Sequence, residues 1–231
     1  MGTFFGTGYN FGGFAVAGGA PTDPSGTPYV HWEADSGLAY VDGNLISTWS
    51  DQIGSKDLTA AGGGRPTYKT NIQNGLPCVR YAGGNVMSCA SGVFGTPTQP
   101  LTLFMAINIT SLNNNTFFFD SIDVVTGCYC RNFSTTLRYN FGGVEVDSGH
   151  TVTTGNQILV WTINNASTTV RKNGVEISSG GAPGTNGFEG FYLGRPSSAS
   201  VVMDEYEVII YSGVESPTDN ETYLNNKWNI Y

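Results

Sequence analysis

The run Val201-Val202-Met203-Asp204-Glu205-Tyr206-Glu207-Val208-Ile209-Ile210-Tyr211 is rich in β-branched and aromatic residues and free of Gly and Pro. That composition predicts a long strand with two unlike faces. The even positions Val202, Tyr206, Val208 and Ile210 are apolar, with Asp204 the exception, while the odd face carries Glu205 and Glu207. A break at Ser212-Gly213 follows, and Ser216-Pro217-Thr218-Asp219 then sets up a helix start. Ser216 is the expected N-cap, Pro217 occupies the first helical position, and Asp219 answers the free amides. Tyr223, Leu224 and Trp228 fall close to one side of that helix and are expected to bury against the sheet.

Working outward, the chain from Tyr29 is a series of short runs punctuated by turns, the pattern of an all-β domain. Strands are expected at about 29–34, 38–41, 45–49, 77–82, 86–90, 101–109, 116–121, 125–131, 136–141, 143–147, 157–164, 167–172, 175–178, 188–194 and 201–211, with 51–75 mostly loop. Leu101-Thr102-Leu103-Phe104-Met105-Ala106-Ile107 is apolar on both faces, so it should be central and covered on each side. Lys172-Asn173-Gly174-Val175 carries the strongest hairpin signal, a two-residue Asn-Gly turn. Gly62-Gly63-Gly64-Arg65 lacks the Lys-Ser/Thr pair of a phosphate loop and reads as a flexible turn.

Three further stretches quoted with the C-terminus carry a resemblance. Gly190-Phe191-Tyr192-Leu193-Gly194, Met203 to Ser212 and Tyr223-Leu224-Asn225-Asn226-Lys227-Trp228 are similar to the closing signature of laminin G-like, concanavalin A-like lectin-glucanase domains. Trp32-Glu33-Ala34-Asp35, Trp49-Ser50-Asp51 and Asn74-Gly75-Leu76-Pro77-Cys78-Val79-Arg80-Tyr81 resemble earlier landmarks of that family, in order. The resemblance spans about Tyr29 to Tyr231. It implies a concanavalin A-like jelly-roll sandwich of two antiparallel sheets with a short C-terminal helix. It says little about activity, because the fold hosts lectins, glycosidases, lyases, adhesion modules and structural proteins.

Composition bounds the rest. The chain has 231 residues, a natural size for one sandwich domain, and only 12% are charged, with 32 Gly. A net charge of −8 argues against nucleic acid or an anionic membrane as partner. No stretch approaches the ~20 apolar residues that a membrane helix requires.

Residues 1–20 carry no charge and alternate Gly with aromatics, without the basic start and unbroken apolar centre of a secretory signal. Phe4, Phe5, Tyr9, Phe11 and Phe14 are rings that should not stay in water. The expectation is an assembly anchor that docks into another protein chain, followed by a stiff Pro-rich linker, so that 1–27 and 28–231 are separate units.

Two hairpins can be read to the residue. If Ala82-Gly83-Gly84-Asn85 closes symmetrically, Cys78 opposes Cys89, near enough for a disulfide or for two buried thiols. In the second, Asn132-Phe133-Ser134-Thr135 as the loop pairs Cys128 with Tyr139 and Cys130 with Leu137 on an apolar face. The opposite face then carries Tyr129, Arg131, Arg138 and Asn140, with Tyr129 facing Arg138. An aromatic ring beside guanidinium groups and an amide suits stacking on a sugar ring and bonding its hydroxyls; it is also an ordinary solvated strand face. Cys128-x-Cys130 lacks partner ligands for zinc, since His31 and His150 have no spacing that brings them in.

Glu205 and Glu207, two apart on a strand, could bring carboxyls to the ~5 to 5.5 Å of retaining glycoside hydrolysis. Glycosidases of the resembled fold carry a third acid on that face, where this chain has Met203. Laminin G-like domains without activity also carry Asp-Glu here, so no enzyme is expected. The fold's calcium sites make Asp51, Asp57, Asp120 and Asp123 candidates, but no cluster resembles a calcium loop, and neither metal nor cofactor is assigned.

The favoured expectation is a virion structural or adhesion protein, a bacteriophage capsid decoration, tail fibre or spike component. It would present its sandwich outward, assemble in multiple copies through other virion proteins at its N-terminus, and contact a host surface glycan. The competing one is an extracellular bacterial carbohydrate-binding or glycan-degrading domain.

Overall fold

The computed structural model describes residues 23–122, 127–195 and 201–231, and within them the quoted run is one strand of two packed antiparallel sheets. Strands are numbered along the chain. The first sheet runs, in spatial order, β14 (Val175–Ser179), β13 (Thr169–Lys172), β12 (Gly155–Ile163), β7 (Leu101–Ser111), β16 (Val202–Tyr211), β5 (Leu76–Ala82) and β4 (Thr67–Gln73), with β1 (Val30–Glu33) also on β16. The second runs β11 (Val146–Thr151), β10 (Thr136–Phe141), β9 (Cys128–Phe133), β8 (Thr116–Asp120), β15 (Phe191–Leu193), β6 (Met87–Cys89), β3 (Leu58–Thr59) and β2 (Thr48–Trp49). A single helical turn, α1 (Ser91–Phe94), and the C-terminal helix α2 (Pro217–Trp228) complete it. This is the expected all-β, concanavalin A-like jelly-roll sandwich with a short C-terminal helix.

Between the sheets lies an aromatic core. Trp32 stacks near Phe94 and Phe191, and Phe119 meets Trp161 edge to face at 5.1 Å between centroids. β7 is buried along most of its length, as its two-sided apolar pattern requires. In α2, Ser216 has the extended backbone of an N-cap but makes no side-chain capping bond, and Asn229 ends the helix in the left-handed region. Tyr223, Leu224 and Trp228 are buried as expected, and Trp228 stacks on Tyr206 at 5.0 Å.

β16 departs from simple alternation. On one side it pairs with β7 along its length; on the other it is shared, Val202–Glu205 with β5 and Glu207–Ile210 with β1. The handover coincides with a bulge between Glu205 and Glu207, where Tyr206 is the extra residue and its carbonyl accepts the Ala34 amide. The two glutamates therefore do not share a face, and neither is solvated. Asp204 is held bidentately by Arg80, at 2.6 and 2.8 Å.

Glu207 sits under α2 at 0% exposure. Its Oε1 accepts from Tyr223 at 2.8 Å and lies 2.7 Å from His31 Nε2, while Oε2 accepts from Trp228 Nε1 at 2.8 Å and meets Lys227 Nζ at 3.1 Å. Lys227 also reaches Asp35 at 2.9 Å and contacts Glu33. Glu205, equally buried, has no hydrogen-bond partner for either oxygen among the described residues, and neither does the nearby Tyr81 hydroxyl. Burial pushes the Glu205 carboxyl well above its ordinary 4.5 and so favours the neutral form.

Several expected pairings are corrected. The segment read as loop holds β4, joined to β5 by an Asn74-Gly75 turn with φ of 49° and 77°. β5 therefore pairs with β4, and residues 83–86 cross to the other sheet instead of closing a hairpin. Cys78 opposes Lys69 and Cys89 opposes Phe191, so the two cysteines do not face each other; all four cysteines are buried thiols. Residues 38–41 form no strand. The Pro-rich segment is no free spacer over 23–28: the Ser25 amide donates to Asn220, the Tyr211 hydroxyl to the Ser25 carbonyl, and Pro28 is buried.

Two outcomes are expected. Well below pH 4.5, Glu205 is protonated in both folded and unfolded chains; as pH rises the unfolded chain ionises first, so stability falls. Urea unfolding at pH 5.5 and 8 should show a loss of up to about 1.4 kcal/mol per pH unit from this group, flattened in Glu205→Gln. Removing the buried acceptor with Glu207→Ala strands His31, Tyr223 and Trp228 and should cost about 3 to 5 kcal/mol in the same assay.

Candidate functional site

The outer face of the β9–β10 hairpin is where sequence placed a ligand surface, and its register decides what meets there. Phe133 pairs with Thr136, so the turn has two residues, Ser134 and Thr135, with φ of 50° and 72°. This is the mirror-type hairpin turn, usually signalled by Asn-Gly, and the Ser-Thr pair hid it. The pairing shifts by two residues, which keeps each side chain on its expected face but changes its partner. Arg131 opposes Arg138, Tyr129 opposes Asn140, Cys130 opposes Tyr139 and Cys128 opposes Phe141.

Two guanidiniums directly across a ladder would repel, and a carboxylate resolves this. Glu145 Oε2 accepts from the Tyr129 hydroxyl at 2.8 Å and from Arg131 Nε at 2.7 Å. Its Oε1 lies 3.4 Å from Arg138 Nη1, and Arg138 Nη2 reaches Asp147 at 2.9 Å. Arg131 Nη1 also donates to Asn115 at 2.7 Å. Burial, reinforced by Glu145, pushes the Tyr129 hydroxyl up to about 12, so it stays a donor.

Aromatic rings floor this cluster. The Arg131 guanidinium lies 4.6 Å from the Phe133 centroid and 5.4 Å from Tyr129, and Arg138 lies 4.9 Å from Phe133. Arg195 extends the row, 4.4 Å from the Phe117 centroid, with its Nε 2.9 Å from Asp120. Side chains of Arg131, Arg138 and Arg195 remain 19, 28 and 30% exposed, so they are held yet reachable. Asn140 is the exception: its Oδ1 accepts from the Gly142 and Gly143 amides, which commits it to the turn.

The sequence reading missed Glu145, Phe133, Phe117 and Arg195. The charge signal for Glu145 was available, since two arginines on one strand face demand a counter-charge; strand β11 was placed three residues early, which obscured it. Arg195 comes from the connection after β15, and no local pattern links it to β9.

The calcium candidates do not converge. Asp51 accepts amides of His31, Ile53, Gly54 and Lys56, and Asp57 accepts the Asp51 amide, so both are spent on shaping one loop. Burial raises Asp120 to about 6 against the pull of Arg195. Asp123 lies outside the described residues, as do Phe4, Phe5, Tyr9, Phe11 and Phe14. Among the described residues, one group of metal-ligand type does gather, His31, Glu33 and Glu207, with donor atoms within 4.8 Å of one another. Sequence spacing gave His31 no partners, because Glu207 reaches it across β1 and β16. No helix among the described residues is long and apolar enough to cross a membrane.

No protein-family model and no curated protein matches the sequence. Solved structures do match in shape. Trypanosoma rangeli sialidase in complex with sialic acid is 13% identical with a TM-score of 0.58, over 86% of this chain and 33% of the sialidase. A mutant of that sialidase displaying trans-sialidase activity is 13% identical with a TM-score of 0.61, over 90% and 34%. The binding domain of botulinum neurotoxin DC in complex with SialylT is 10% identical with a TM-score of 0.54, over 87% and 51%. The chain spans about a third of the length of the sialidases it matches. The expectation that no enzyme is present is corrected by these matches: the fold recurs within glycosidases, so Met203 at the third acidic position does not exclude that chemistry. At these identities the likeness establishes the fold, a concanavalin A-like sandwich.

Proposed function

We propose that this sandwich recognises carbohydrate through the outer face of β9 and β10, and that the preferred ligand is an acidic sugar. The observation that carries the reading is the Glu145-centred cluster, in which Tyr129, Arg131 and Arg138 are locked in place over Phe133. Locked guanidiniums lose little side-chain freedom on binding, and their planar edges suit bidentate capture of a sugar carboxylate. The neighbouring rings suit the apolar face of a pyranose. Sialic acid bound to the sialidase and SialylT bound to the toxin domain support the ligand class by analogy of fold. Among such sandwiches, the laminin G-like assignment rests on the tryptophan and acidic landmarks of the sequence.

The setting we propose is the exterior of a larger particle such as a virion, with residues 1–20 as the anchor. The support is their charge-free alternation of Gly with Phe4, Phe5, Tyr9, Phe11 and Phe14.

Titration with sialylated and neutral oligosaccharides, followed by calorimetry, should show preference for the acidic set. Combined Tyr129→Ala and Arg131→Ala should lower affinity at least tenfold with the fold intact; unchanged affinity would remove the site. Light scattering on the full chain and on a chain starting at Asp23, which keeps the Ser25 contacts, should show multi-copy assembly only in the former.

A further inference from the structure

We propose that His31, Glu33 and Glu207 form a divalent transition-metal site, of the zinc or manganese class, at the base of the cavity between the 23–28 segment and α2, with His31 and Glu33 lining it and Glu207 buried behind them. This is independent of the carbohydrate face. Glu33 and Glu207 are directly opposed across β1 and β16, and His31 stands two residues from Glu33 on the same strand face. The three donors thus come from paired backbone, not from loops, and lie within 4.8 Å of one another. His31 is 6% exposed and Glu207 0%, so the floor is desolvated.

The cavity above has a volume of about 350 Å³ and is walled by Asp23, Pro24, Pro28, Gln52, Ile53 and Tyr223, besides His31 and Glu33. It leaves an open side where water or a further oxygen can complete coordination. One imidazole nitrogen with two carboxylates suits first-row ions at about 2.0 to 2.2 Å, whereas calcium prefers oxygen alone. His31 Nε2 and Glu207 Oε1, at 2.7 Å, are already as close as two ligands of one ion, and Glu33, half-buried at the wall, closes the set.

Charge points the same way. Around this floor stand Asp23, Glu33, Asp35 and Glu207, and among the described residues Lys227 is the cation that contacts the last three. The Lys227 ammonium is the resident cation at Glu33 and Glu207; an arriving ion takes its place there, and Lys227 keeps Asp35.

The test uses the full chain stripped with EDTA and titrated with zinc, manganese or calcium chloride, read by calorimetry and thermal unfolding. Expected is saturable one-to-one binding of zinc or manganese with a raised unfolding temperature. His31→Gln and Glu33→Gln should each weaken it about 10- to 100-fold, while His150→Gln leaves it unchanged. Lys227→Met, if it folds, should bind more tightly, having lost the competing ammonium. Absence of saturable zinc or manganese binding up to millimolar ion overturns the proposal, as does binding indifferent to both His31→Gln and Glu33→Gln.

Discussion

A carboxylate with no access to water must find its hydrogen-bond donors inside the protein, and Glu207 finds them on elements far apart in the chain. His31 comes from the first strand, Tyr223, Lys227 and Trp228 from the last helix, and the acceptor itself from the strand that both must cover. None of these contacts forms unless α2 lies across β16 with β1 beside it. The network therefore specifies one docking of the closing helix, where apolar burial of Leu224 alone would permit many. Lys227 adds a second tie, drawing Glu33 and Asp35 toward the same point.

Glu145 plays a comparable part on the other sheet, at a half-buried level. It holds two arginines that would otherwise repel, and Asp147 and Asp120 balance Arg138 and Arg195. The face is locally neutral on a chain of net charge −8. On the reading proposed above, an acidic ligand would therefore feel little long-range attraction, and selectivity would rest on short-range geometry.

Much of the fold was legible because periodicity and turn chemistry are local. The C-terminal strand, the proline-started helix and the Asn173-Gly174 turn, with φ of 49° and 78°, stand where the residues place them. The failures have a common cause, which is that partners are not local. Asn74-Gly75 is the same turn signal, and passing over it lost β4 and gave Cys78 a neighbour in the wrong sheet. The outward face of β9 and β10 was legible by alternation, yet Glu145 and Arg195, which complete its ion pairs, come from other segments. The donors around Glu207 were each noticed as landmarks, but nothing in their spacing says that they meet.

The extra residue at Tyr206 has a consequence for how this chain can diverge. Polarity on the central strand is divided by counting: Glu205 faces the hydrophobic interior and Glu207 faces the helix because one unpaired position lies between them. Substitutions can retune either acid, but a deletion of one residue there would exchange their surroundings along with those of every side chain beyond. Lineages of this domain should therefore hold this stretch constant in length.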